Sequence, residues 1–159
     1  MRPKIKVPWT TGDRVLEISG WILLLALWGF VVFSYPDLPD KIPKHFNAAG
    51  QADSWGGKKN ILSLSVVMTI LFVGMTLLNR FPHIFNYPFS ITDENAFRQY
   101  ACATRMLRWL KTIIVVIFGY LAIAAIYGME NIGIWFLPVT AGLILIPMFY
   151  WIARMCRLQ

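Results

Sequence analysis

The hydrophobic positions of this chain gather into four long runs, and the charged residues fall between them. The first run, residues 15–35, is long enough to cross roughly 30 Å of hydrocarbon at about 1.5 Å per residue, and Pro36 closes it. It exceeds the apolar stretch of a cleaved leader, and Tyr35-Pro-Asp-Leu-Pro offers no small-x-small cleavage site, so an uncleaved anchor is expected. The second run, residues 61–78, carries Ser63, Ser65, Thr69, Gly74 and Thr76, small or hydroxylated residues that favour close helix packing in lipid. The third and fourth, residues 112–129 and 134–153, are joined by a short glycine-bounded turn and predict an antiparallel helical hairpin. Pro138 and Pro147 fall inside the fourth, where neighbouring helices can satisfy the freed carbonyls.

A fifth pattern is amphipathic. From Ile91 onward, Ala96, Phe97, Tyr100, Ala103, Thr104, Leu107 and Leu110 share one face of a helix, while Glu94, Arg98, Arg105 and Arg108 share the other. Thr92 or Asp93 can cap it. The pattern predicts a helix over residues 92–110 lying at the membrane surface and running into the third span. The expected fold is therefore all-α: a single membrane domain over residues 1–159, a bundle of four transmembrane helices with a cytoplasmic interfacial helix.

Composition agrees. The chain is 57% hydrophobic and 14% charged, where soluble domains carry about 25% charged residues. Its net charge of +7 would raise nucleic-acid binding in a soluble protein, but no basic run exceeds two residues, so no nucleic-acid partner is expected. Lys and Arg instead report orientation. Eleven of the fifteen lie in the N-terminal arm, the second connection and the C-terminus, whereas Lys41, Lys44, Lys58 and Lys59 lie in the first loop. The positive-inside rule puts both termini and the amphipathic helix in the cytoplasm, and residues 36–60 in an extracytoplasmic loop. Cys102 and Cys156 have no metal-ligand spacing and read as free thiols on the reducing side. No cofactor motif is present.

That loop holds most of the chain's special residues. Pro43, Gly50 and Gly56 are turn formers, and His45, Phe46, Asn47, Asp53, Trp55 and Lys58 are candidate ligand-binding residues. Residues 38–58 read Leu-Pro-x-x-Ile-Pro-x-His-Phe-Asn-x-x-Gly-x-x-Asp-x-Trp-Gly-x-Lys. This segment resembles the hallmark of a bacterial membrane domain of unknown function, which also forms the N-terminal part of SdpI-type immunity proteins. Residues 86–100, Asn-Tyr-Pro through Ile-Thr-x-Glu-Asn-Ala-x-Arg-Gln-Tyr, resemble a second motif of its short, stand-alone members. The resemblance implies a multipass protein of the bacterial inner membrane. In SdpI-type members, which are longer and have additional spans, it implies immunity to a secreted toxic peptide and the holding of a transcriptional repressor at the membrane.

Three functions compete. The preferred one is a non-enzymatic immunity or sensor protein whose outer loop recognises a peptide or envelope component. The second is a metal-binding or hydrolytic protein using His45 and Asp53, a ligand set too thin for a zinc site on its own. The third is a scaffold that docks a cytoplasmic regulator or anionic lipid on Arg98, Arg105 and Arg108. Glu17 lies in the first turns of its span, where negative charge suits the helix dipole, and reads as a boundary residue. The bilayer itself is the one partner common to all three readings.

Overall fold

Thr10 starts the first helix. Its Oγ1 accepts from the Asp13 N–H at 3.2 Å, and the Asp13 carboxylate accepts from the Thr10 N–H at 2.9 Å, a reciprocal cap that satisfies two end amides. In the computed structural model, which describes residues 2–158, helix α1 runs Thr11–Ser34 and ends in a short 3₁₀ turn, Tyr35–Asp37. Strands β1 (Lys41–Phe46) and β2 (Ala52–Gly57) follow as an antiparallel hairpin, then α2 (Lys59–Leu78), a second 3₁₀ turn (Pro82–Ile84), α3 (Ala96–Ile126) and α4 (Phe136–Arg157). All four helices are long and apolar enough to cross a membrane, so this is a multipass membrane protein, with the bilayer as the medium around its apolar faces.

The helices do not form a symmetric bundle. α3 is the hub on which α1, α2 and α4 each pack, while α1 and α2 touch each other little. Close approach depends on small residues. A Cβ on Gly20 of α1 would lie 3.0 Å from the Phe72 ring and 3.2 Å from Thr112 Oγ1. Trp21 meets Phe72 edge-on at 5.0 Å, and Trp28 Nε1 donates to Thr69 Oγ1 at 2.8 Å, linking α1 to α2. Leu24, Met68, Phe72 and Val115 form the core of this layer. α4 contributes only Met155 to the buried set among the described residues and leaves most of its length to lipid.

Two expectations are corrected. The fold is not purely helical, because the first loop pairs as a two-stranded sheet. Nor is there a separate interfacial helix: of the expected residues 92–110, residues 96–110 are the first turns of α3 and residues 92–95 form the turn before it. At 31 residues α3 is about 46 Å long, which exceeds the hydrocarbon thickness by roughly three turns. Those turns are wrapped by protein. Tyr100 Oη donates to the Pro3 carbonyl at 3.0 Å, Gln99 Nε2 donates to the carbonyls of Met155 and Leu158 at 2.9 and 3.0 Å, and Tyr87, Ala96, Tyr100 and Ala103 pack as one cluster. Arg2 reaches across to the carbonyls of His83 and Phe85. Burial pushes the Tyr87 phenol well above its ordinary pKa, so it stays a neutral donor to the Pro82 carbonyl.

Candidate functional site

The hairpin closes one end of the helices. Ile42 and Leu38 are buried with Val31, Ile61, Ala122 and Ala125, so one face of β1 seals the junction of α1, α2 and α3. Its turn is built by Asn47, whose Oδ1 accepts from the N–H groups of Ala49 and Gln51 at 2.9 and 3.0 Å. Gly50 sits at φ 79°, and a Cβ there would strike the Gly133 carbonyl. The close approach lets the Ile132 N–H donate to Gly50 O at 2.8 Å and the Ala52 N–H donate to Glu130 O at 2.8 Å. The hairpin tip is thereby stitched to the turn between α3 and α4.

His45 and Asp53 occupy the other face. The register advances from Pro43 opposite Trp55 to His45 opposite Ser54 and then Phe46 opposite Ala52. Lys44 is therefore an extra residue on β1 and Asp53 an extra residue on β2, and these paired bulges re-aim the side chains between them. The outcome is a contact of 2.6 Å between His45 Nδ1 and Asp53 Oδ1, with side chains 67% and 41% exposed. Trp55 is exposed on the same face of β2 as Asp53. Phe46 lines a groove of about 410 Å³ beside the strand together with Pro43, Leu64, Phe118 and Phe136, and His45 borders it as well.

The remaining loop candidates lie elsewhere. Lys58 Nζ turns back to the Leu38 carbonyl at 3.4 Å and lies 5.5 Å from the Tyr35 ring centre, at the base of the hairpin. Gly56 lies opposite Ile42, with the Asn60 side chain and the Lys44 stem closing the space a Cβ would need. Among the described residues no group of three or more His, Cys, Asp or Glu converges in a way that could hold a metal. His45 and Asp53 contact each other directly.

The basic face of α3 is also corrected. Arg98 is exposed, but Arg105 and Arg108 turn toward α1. Arg105 Nε lies 3.2 Å and Arg108 Nη1 3.4 Å from Asp13 Oδ1. One turn further along, Lys111 Nζ donates to Glu17 Oε1 at 2.5 Å and to Thr76 Oγ1 at 2.7 Å. Glu17 is thus no boundary residue; it is 6% exposed within an ion cluster joining three helices. Of the three arginines, Arg98 is exposed, Arg105 is part-exposed and paired with Asp13, and Arg108 is buried. The sequence signal was present: Thr10 and Asp13 have the spacing of a capping box, which starts the helix early enough to carry Asp13 and Glu17 on one stripe four residues apart.

Residues 22–69 match the model of a domain of unknown function, DUF1648. An uncharacterized protein of Archaeoglobus fulgidus is 25% identical over 128 residues, covering 76% of this chain and 68% of its own. No solved structure matches. The part of the chain similar to that domain is the hairpin with most of α1 before it and the first half of α2 behind it.

Proposed function

We propose that the protein is a non-enzymatic, immunity- or sensor-like membrane protein, with both termini in the cytoplasm of a bacterial cell, whose extracytoplasmic hairpin recognises a membrane-active peptide or envelope component. The observation that carries this reading is the exposed His45–Asp53 pair between two bulges. The structural work of the hairpin falls to Ile42, Leu38, Asn47 and Gly50. The pair and Trp55 take no part in that closure, yet the strands deviate to present them. The groove reached by Phe46 lies beside them and opens between helix faces that meet lipid. A ligand with a polar end at His45 and Asp53 and an apolar end in the groove fits this arrangement.

The reading is tested in cells challenged with membrane-active secreted peptides. Expression of the wild-type chain should raise survival, and His45→Ala or Asp53→Ala should remove the protection while membrane insertion stays normal. Equal survival with and without the protein, or full protection by both variants, defeats it. Orientation is tested in parallel: Gln51→Cys in a Cys156→Ser background should react with an impermeant thiol reagent on intact cells, and labelling only after lysis reverses the assignment.

A further inference from the structure

At the opposite end from the hairpin, a cavity of about 320 Å³ opens between the N-terminal arm and helices α1, α2 and α3. Lys6, Trp9, Asn79, Arg80 and Arg108 line it, with Glu17 at its inner wall. Two polar atoms there are unmet. Arg108 is only 4% exposed, and its Nε lies 3.4 Å from Glu17 Oε2 without making a hydrogen bond. Asn79 donates through Nδ2 to the Thr104 carbonyl at 3.2 Å, but its buried Oδ1 has no partner. Buried polar atoms are seldom left in this state, and each asks for a group that completes it.

The charges are unmatched as well. Two carboxylates, Asp13 and Glu17, face three cations, Arg105, Arg108 and Lys111. Glu17 is shared by Lys111 and Arg108, and Asp13 is shared by the two arginines. The cluster as a whole thus carries one positive charge in excess, and Arg108, which faces both carboxylates at 3.4 Å, is its member at the cavity wall. Lys6 and Arg80 add two more cations at the cavity wall, both exposed. Trp9 covers the Arg108 guanidinium, its ring centre 4.8 Å away, and limits water access from that side. A desolvated cluster with one cation in excess over its carboxylates is unfavourable unless an anion joins it.

We propose that this cavity binds a phosphate-bearing group. Arg108, Arg80 and Lys6 neutralise the phosphate, and a hydroxyl of the bound group donates to Asn79 Oδ1. The cavity is lined by Thr104 and Arg108 of the polar, N-terminal part of α3 and by Asn79 and Arg80 at the end of α2, at the ends of these apolar spans. Two sources share this chemistry: the headgroup of an anionic glycerophospholipid and free inorganic phosphate. This site is independent of the hairpin and of the ligand proposed for it.

The test is thermal unfolding of the full chain in nanodiscs. Pure phosphatidylcholine is the reference. One arm adds a minor fraction of phosphatidylglycerol, and the other adds inorganic phosphate against chloride at equal ionic strength. Saturating one source should raise the midpoint by about 4 °C or more. A rise with phosphatidylglycerol alone assigns the site to a lipid headgroup, and a rise with phosphate assigns it to the free anion. The Lys6→Gln/Arg80→Gln double variant alters only exposed side chains and should fold, yet lose most of that rise. Lys4→Gln, on the same arm but outside the cavity, should keep it. No rise in either arm, or a rise unchanged in the double variant, overturns the proposal.

Discussion

Lys111 Nζ donates to Glu17 Oε1 at 2.5 Å with the lysine side chain fully buried, its ammonium 4.5 Å from the centre of the Phe72 ring and bonded also to Thr76 Oγ1. One contact thus fixes α1, α3 and α2 at a common level. Breaking a buried pair by removing one partner strands the other charge, which costs about 3–5 kcal/mol, whereas replacing both by apolar groups can be close to neutral. Glu17→Leu should therefore lower the unfolding midpoint by roughly 10 °C for a chain of this size, and adding Lys111→Met should recover a good part of that loss. Unfolding curves of the two single variants and the double close the cycle. Additive losses would mean that the two groups do not act as a pair.

The number, type and rough limits of the four spans were legible because each is a long apolar run, and in lipid only a helix satisfies its own backbone over such a run. What escaped was everything set by distant partners. Arg105 and Arg108 read as a water-facing stripe because their counter-ion Asp13 lies 92 and 95 positions away in sequence. The hairpin read as an irregular loop because its strands hold a single β-branched residue, Ile42, and carry Pro43 and two glycines. Those strands hold together through the burial of Ile42 and the stitch from Gly50 to Ile132, neither visible in local propensity. The chemical residues of the loop were legible, and which of them meet was not: the pairing of His45 with Asp53 depends on two bulges.

The glycines separate close approach from idle space. Gly50→Ala would place a Cβ against Gly133 at a φ of 79° and break the stitch to the α3–α4 turn, so it should destabilise by about 2 kcal/mol or more. Gly29→Ala in α1 meets nothing within 4 Å and should be neutral or stabilising by up to about 1 kcal/mol. Limited proteolysis of the hairpin checks the first, with faster cleavage expected near residues 47–52. Wild-type resistance in Gly50→Ala would show that the stitch does not hold the cap.

The reciprocal cap at Thr10 also carries the ion cluster, since Asp13 serves both. Thr10→Ala should cost more than the roughly 1 kcal/mol of an isolated N-cap, because Asp13 loses hydrogen bonds that orient it toward Arg105 and Arg108. In an Asp13→Asn background, where the charged partner is already gone, the same substitution should cost less. Unfolding midpoints of the three variants measure the coupling, and an equal cost in both backgrounds would separate the cap from the cluster.

His45 and Asp53 present the reverse case. A solvated ion pair or hydrogen bond of this exposure contributes about 0–1 kcal/mol, and neither side chain is needed to hold the hairpin turn or its stitch to the helices. Asp53→Ala should therefore leave the unfolding midpoint within about 3 °C of wild type while removing the function assigned to the hairpin face. His45→Gln, which keeps a polar side chain but not the imidazole, separates ring chemistry from simple hydrogen bonding. Full activity in His45→Gln with loss in His45→Ala would mean that the ligand needs only a polar contact at this position. A midpoint loss beyond about 6 °C in Asp53→Ala, equivalent to roughly 2 kcal/mol, would instead make the pair a brace of the hairpin and move recognition to Trp55 and the groove beside Phe46.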